Sequence, residues 1–282
     1  MLRKRVTLLY SSVITITVII MEQNRLTRQD LQELARKPVT TTAELAQMFE
    51  LSHGNAAKLA YDLRRRGFLV LVSKGLYASV PLDVDPNGFR PDPFFVVQKV
   101  MGQNFAFSHF SALTLLGFEQ TIRKTIHVTI PGVRSRRRKV GEIVVHVHHS
   151  GKRDWDSSTT VIRRGGELLR VTTPERTMID LASLPNSLQD YEEDLEAFRA
   201  LLPRADPKKM RLMILGNPRV TALARTGHLL SIVDQENGRF SKTLLDIQES
   251  VSRMSPIYFA TKPYDIRNRF DTRFKVIYPG RA

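Results

Sequence analysis

With 282 residues and 43 Lys and Arg against 28 Asp and Glu, the chain is long enough for one large or two ordinary domains and carries a net charge of +15. Its 42% apolar content supports a real core, so the charge surplus points to a polyanionic partner, nucleic acid or an acidic membrane surface, with a merely basic globular protein as the alternative. The absence of cysteine excludes disulfides, thiolate nucleophiles and cysteine-ligated zinc.

The first twenty residues, MLRKRVTLLYSSVITITVII, have the basic start and apolar run of a secretory signal. Ser11, Ser12, Thr15 and Thr17 interrupt that run, no small-x-small cleavage site follows, and the run is shorter than the ~18 residues of a spanning helix. We expect Met21 to be the true start and residues 1–20 to be upstream sequence, with no membrane partner and a cytoplasmic location.

From Met21 the punctuation is dense. Thr27 with Asp30 three residues on reads as a helix N-terminus, Leu26 and Leu31 form a staple across it, and Pro38 stops the helix. Thr41-Thr42-Ala43-Glu44 is a capping box that opens a second helix with Leu45, Ala46 and Phe49 on its inner face. Ser52 caps a third helix, His53 to about Arg66, whose Ala56, Leu59, Ala60 and Leu63 fall on one stripe, and Gly67 ends it. FLVLV and LYASV, joined through Lys74-Gly75, predict a hairpin.

Residues 81–93, rich in Pro, Asp and Gly, read as a boundary, so the chain divides into an extension (1–20), a first domain (21–91) and a second (92–282). In the second, FFVVQKVM and HFSALTLLGF read as helices, followed by strand patterns at TIHVTIPG, EIVVHVHH, TTVIRR and ELLRVT. Helix patterns then run from TPERTMIDLA to SKTLLDIQESV, and RFKVIYPG reads as a last strand. The fold class expected is α+β.

Three helices and a hairpin in that order predict a winged helix-turn-helix that binds double-stranded DNA. Placing residues at 100° intervals sets Gly54, Lys58, Tyr61 and Arg65 opposite the buried stripe. His53, Asn55 and Ala57 lie near the helix start, where base edges are reached; Asn55 suits adenine, and Lys58 suits guanine or phosphate. With the caps Thr41 and Ser52 and the hairpin tip Lys74, these are the candidate DNA-contacting residues. Residues 21–91 carry only 10 basic against 8 acidic side chains, so the basic ones must be sorted onto one side. A solvated face in a protein-binding domain is the alternative.

The charge surplus lies further on, with 12 basic against 4 acidic residues between 122 and 170. Arg134, Arg136, Arg137, Arg138 and Lys139 form a basic loop there, read as a second anionic contact. His127, His146, His148 and His149 raise the question of a metal; on strands His146 and His148 share a face that His127 can join. No carboxylate stands at a telling offset and no HExxH occurs, so cross-strand packing on a surface sheet is the expectation, without metal or other cofactor. Glu175 and Asp180 in TTPERTMIDLA find no acid partner by spacing. No phosphate loop, GxSxG, nucleotidyltransferase-like GS with paired carboxylates or nuclease constellation occurs either, and we expect no catalytic residue.

Four stretches in order, TTAELAQMFELSHGNAAKLAYDLRRRGFLVLVSKGLYAS, VTTPERTMIDLA, ARTGHLL and DTRFKVIYPG, resemble the AbiEi-family antitoxins of AbiE-type phage-defence systems. The resemblance spans most of residues 25–280 and leaves out residues 1–20. It implies a winged-helix domain that represses its own promoter at inverted repeats, with a recognition helix from Ser52 to Arg66 and a wing tip from Ser73 to Gly75. It further implies a second, mixed α/β antitoxin domain that neutralises a nucleotidyltransferase-like toxin encoded beside it, not necessarily through a stable complex. The basic loop at 134–139 departs from any fixed motif of that family. Two other readings stay open: a stand-alone winged-helix regulator, and a nucleic-acid-acting enzyme such as a nuclease.

Overall fold

A computed structural model of the chain describes residues 26–118, 123–150, 155–184, 191–217, 219–259 and 268–279. Met21 and the segment before it lie outside the described residues. The chain divides into two compact units, Met1–Phe95 and Val96–Ala282.

In the first unit the order is α1 (Arg28–Arg36), β1 (Val39–Thr41), α2 (Thr42–Met48), α3 (His53–Arg65), β2 (Leu69–Ser73) and β3 (Leu76–Ser79). The caps form as the spacing predicts. Asp30 accepts the backbone N–H of Thr27 at 2.6 Å while Thr27 Oγ1 accepts that of Asp30, and Thr41 and Glu44 repeat the exchange. Each such cap contributes about 1 kcal/mol. Leu34, Leu45, Leu59, Leu63 and Leu69 close the core, with Ala56 and Ala60 letting α3 approach closely.

β1 is not signalled by periodicity. Its three residues form a strand only because β3 lies beside them, Val39 opposite Ala78 and Thr41 opposite Leu76, giving a sheet of order β1-β3-β2. Gly67 has φ +81, and a Cβ there would fall 2.5 Å from Cγ of Pro86. The residue that ends α3 therefore also admits Pro86, so this part of the 81–93 segment packs back on the unit.

Helix α4 (Pro93–Met101) runs through the point of division. Beyond it come β4 (Ala106–Phe107), α5 (His109–Leu115), β5 (Thr125–Pro131), β6 (Arg136–Val140), β7 (Ile143–Ser150), β8 (Thr159–Arg164) and β9 (Glu167–Thr172). These strands form one mixed sheet of order β6-β7-β5-β4-β9-β8. Then follow α6 (Pro174–Ser183), α7 (Tyr191–Leu201), α8 (Pro207–Leu215), α9 (Val220–Val233), α10 (Ser241–Val251) and the short strands β10 (Ile257–Tyr258), β11 (Asn268–Asp271) and β12 (Val276–Pro279). The α+β class expected from the pattern is what forms. Among the described residues no helix is long and apolar enough to cross a membrane.

One local expectation is corrected. Residues 134–139 read as a loop because four consecutive cations carry no apolar alternation. Arg136–Val140 is instead the edge strand β6, antiparallel to β7 with Arg137 opposite His146 and Arg138 opposite Val145. A row of cations is well suited to an edge, since it deters pairing with another chain.

Two sequence stretches are scaffold. In TTPERTMIDLA, Thr173 caps α6, Pro174 occupies its first turn, and Thr172 and Thr177 join hydroxyls at 2.8 Å. Glu175, in the first turn of α6, is buried and accepts the backbone N–H of Asp206 at 2.6 Å, tying α6 to the start of α8. In ARTGHLL, the Arg225 guanidinium donates to the carbonyls of Tyr258 and Ala182, and Gly227 lies against the Phe274 ring with no room for a side chain.

Candidate functional site

The exposed face of α3 carries the residues that helical geometry placed there. His53, Gly54, Asn55, Ala57, Lys58, Tyr61 and Arg65 are all exposed, while Ala56, Leu59, Ala60 and Leu63 are buried. Nothing lies within 4 Å of where a Cβ at Gly54 would stand, so this part of the surface is open to close approach. Arg64, Arg65 and Arg66 are exposed on successive sides of the last turn. Lys74 is exposed at the β2–β3 turn, where Gly75 takes φ +72.

Thr41 and Ser52 behave differently. Thr41 Oγ1 is engaged with Glu44, and Ser52 Oγ accepts the N–H of Asn55 at 3.3 Å. Both hydroxyls hold helix ends, and the N-terminus of α3 is thereby pre-formed.

In the second unit, β5, β6 and β7 build a cleft of about 750 Å³. Arg123, Lys124, Arg136 and Arg137 line it with His127, His146 and His148. Glu193, the single acid in the lining, forms an ion pair with Arg123, whose guanidinium also lies 3.8 Å from the centre of the Phe110 ring. The basic segment does not act as one patch. Arg136 and Arg137 line the cleft, whereas Arg138 reaches Sδ of Met101 at 3.8 Å. Arg134 precedes the strand and is exposed.

The histidines meet because strand pairing brings them together. β5 and β7 run parallel with His127 opposite His146, which sets His148 one pleat further along the same face. His127 Nδ1 lies 3.0 Å from His148 Nε2. His109, at the start of α5, stacks on His148 with ring centres 4.0 Å apart. It was missed by sequence reasoning, because nothing in FSHF announces that its ring joins two strands some twenty and forty residues on. A trace exists in the backbone: His109 has φ +53, a conformation that a non-glycine residue adopts at a cost of order 1–3 kcal/mol. His149 points elsewhere, its Nδ1 within 3.0 Å of the Val133 carbonyl oxygen.

The expectation of packing on a surface sheet is corrected in one respect, since His109 and His127 are buried. Burial, followed by repulsion from His148 and His146, lowers the His127 pKa to about 3. Burial and His146 lower that of His148 to about 4. His109 lies well below the ordinary value, again through burial first, then through His148, His127 and the guanidiniums of Arg176 and Arg219. Arg176 pairs with buried Asp180 at 2.7 Å, so that carboxylate has a cation rather than an acid as its partner. Burial raises the Asp180 pKa against the pull of Arg176.

Residues 106–232, which contain the cleft, the histidines and both scaffold stretches, match the family model described as AbiEi antitoxin C-terminal domain. The second unit carries an AbiEi antitoxin domain. Two of the four stretches that suggested this family, VTTPERTMIDLA and ARTGHLL, lie inside the matched AbiEi residues; the stretch at residues 41–79 and DTRFKVIYPG lie outside them. The RV2827C protein from Mycobacterium tuberculosis is similar in structure, with a TM-score of 0.63, 18% identity and coverage of 88% of this chain and 89% of that one. At that identity the likeness is one of fold. An antigenic nucleotidyltransferase-like protein from Paracoccidioides brasiliensis aligns at a TM-score of 0.34 with 10% identity, over 53% of this chain and 87% of that one, too weakly for any inference. The comparison with curated proteins returned no match.

Proposed function

We propose that this chain is an antitoxin that also controls its own transcription in a phage-defence system. The observation that carries the reading is the AbiEi antitoxin domain at residues 106–232. Its fit to a toxin–antitoxin role supports a second unit that neutralises a nucleotidyltransferase-like toxin encoded nearby, in the cytoplasm and without catalysing a reaction. The first unit is then a winged helix-turn-helix: α3 lies in the major groove of operator DNA, and the β2–β3 hairpin is the wing. The exposed row of Asn55, Lys58, Tyr61 and Arg65 supports this, together with the pre-formed N-terminus of α3, whose free backbone N–H groups suit a phosphate.

The test separates the two roles. The neighbouring gene is expressed with the full chain or with the Lys58→Ala/Arg65→Ala variant, and growth is scored beside a reporter driven by the native promoter. Rescue by both proteins, with repression lost in the variant, is the expected result. Failure of the full chain to rescue growth overturns the antitoxin reading. Rescue with no repression by either protein overturns the DNA-binding reading.

A further inference from the structure

Neither DNA contact nor core packing calls for a buried group of imidazoles facing a cleft. We propose that His109, His127 and His148 form a site for one borderline transition-metal ion, of which Zn²⁺ is the commonest, with the remaining coordination position facing the cationic cleft. One ring nitrogen from each of the three lies within 4.8 Å of the other two. Tetrahedral zinc with bonds of 2.0–2.1 Å sets its ligand nitrogens roughly 3.4 Å apart. The His127–His148 pair at 3.0 Å is already near that spacing, and the His109 nitrogen lies within 4.8 Å of both.

Two further observations suit a ligand set better than packing. His109 Nδ1 lies 2.8 Å from Ser108 Oγ, which itself accepts from the Thr129 hydroxyl at 2.8 Å. When Nδ1–H donates to Ser108, His109 presents Nε2 to the ion, the kind of supporting contact that orients metal-binding histidines. The left-handed backbone of His109 is the strain that places this ring over the pair from β5 and β7.

The surroundings also specify the fourth ligand. Arg176 and Arg219 bear on His109 and oppose a bare dication, while Arg123, Lys124, Arg136 and Arg137 line the cleft. An anionic ligand, hydroxide or a phosphate oxygen, satisfies both the metal and these cations. His146 stands 5.3 Å from His127, ring to ring, outside the trio.

The test uses the full chain without any polyhistidine tag and does not depend on the antitoxin reading, since metal binding is measured on the purified protein alone. Co²⁺ titration of metal-stripped protein should give visible bands of a tetrahedral site that saturate at one equivalent and disappear on adding Zn²⁺. His148→Gln and His109→Asn, the latter tolerating the left-handed backbone, should each weaken binding at least tenfold; His149→Gln should not. X-ray absorption of the Zn²⁺-loaded wild type, which requires no variant to fold, should count three imidazoles. Absence of saturable Co²⁺ binding, undiminished binding in folded His148→Gln and His109→Asn, or fewer than two imidazoles at the zinc each overturns the proposal.

Discussion

His228 Nδ1 lies 2.8 Å from Oδ2 of Asp271, linking α9 to β11. The other nitrogen of the same ring lies 2.8 Å from the Tyr191 hydroxyl, and Tyr278 packs at 4.3 Å between ring centres. The ring is buried, so both nitrogens depend on these partners. Although burial raises the Asp271 carboxyl pKa, hydrogen bonds from His228 and from the backbone N–H groups of Phe274 and Arg273 prevail and hold it below its ordinary value. A carboxyl with a depressed folded pKa contributes stability that is full above its unfolded value, about 3.9, and is lost as pH falls through the folded value. Asp271→Asn should therefore destabilise the protein at neutral pH by about 1–3 kcal/mol and remove part of the stability loss that the wild type shows below about pH 4. Urea unfolding at several pH values checks both; an unchanged pH profile in the variant would refute the assignment.

Gly227 is predicted to tolerate no side chain. Its Cβ would stand 2.5 Å from Cδ1 of Phe274 and 2.8 Å from Cγ2 of Ile247, inside a packed core. Gly227→Ala should cost about 1–3 kcal/mol by overpacking. The cost should shrink when combined with Phe274→Leu, because the ring is what it strikes. Strict additivity of the two changes in denaturant unfolding would show that the Phe274 ring is not the cause.

In the first unit, the caps of α2 and α3 should separate from the contact residues of α3. Lys58→Ala and Arg65→Ala should each lower the slope of log affinity against log salt for operator DNA by about 0.9 for a phosphate no longer neutralised, with little change in stability. Thr41→Ala and Ser52→Ala should lower stability by about 1 kcal/mol each and leave the salt slope alone, since both hydroxyls serve helix ends. Equal slopes for wild type and Lys58→Ala would remove Lys58 from the interface.

Replacing Arg136, Arg137 and Arg138 together by Gln distinguishes an anion-binding role from protection of a sheet edge. If β6 binds nucleic acid, the salt slope falls by about 0.9 for each phosphate that the variant no longer neutralises. Light scattering provides the other readout: increased association of the variant at an unchanged salt slope would mark the cations as guards of the edge strand. We expect the slope to fall, because Arg136 and Arg137 both line the cleft.

Much of the first unit was legible because its signals are local. A capping box needs only residues three apart, and the stripe of Ala56, Leu59, Ala60 and Leu63 is a consequence of 3.6 residues per turn. The same arithmetic put Lys58 and Arg65 outside. β1 was not legible, since three residues become a strand only when β3 supplies hydrogen-bond partners. β6 was not legible either, because an exposed edge strand needs no apolar alternation.

Short-range periodicity and ordered motifs were enough to establish the α+β class, the caps, the exposed face of α3 and the resemblance to AbiEi antitoxins. Which distant residues meet was settled only by the folded chain. Parallel pairing of β5 with β7 set His127 beside His146 and His148, and the strained backbone at His109 added a ring that no spacing rule connects to them. The same packing buried Glu175 and Arg225 as ties from their helices to neighbouring backbone, Asp206 for the one and Tyr258 for the other. Register and burial belong to pairs of segments brought together by the whole chain, whereas a helix face belongs to one segment and can be read from it alone.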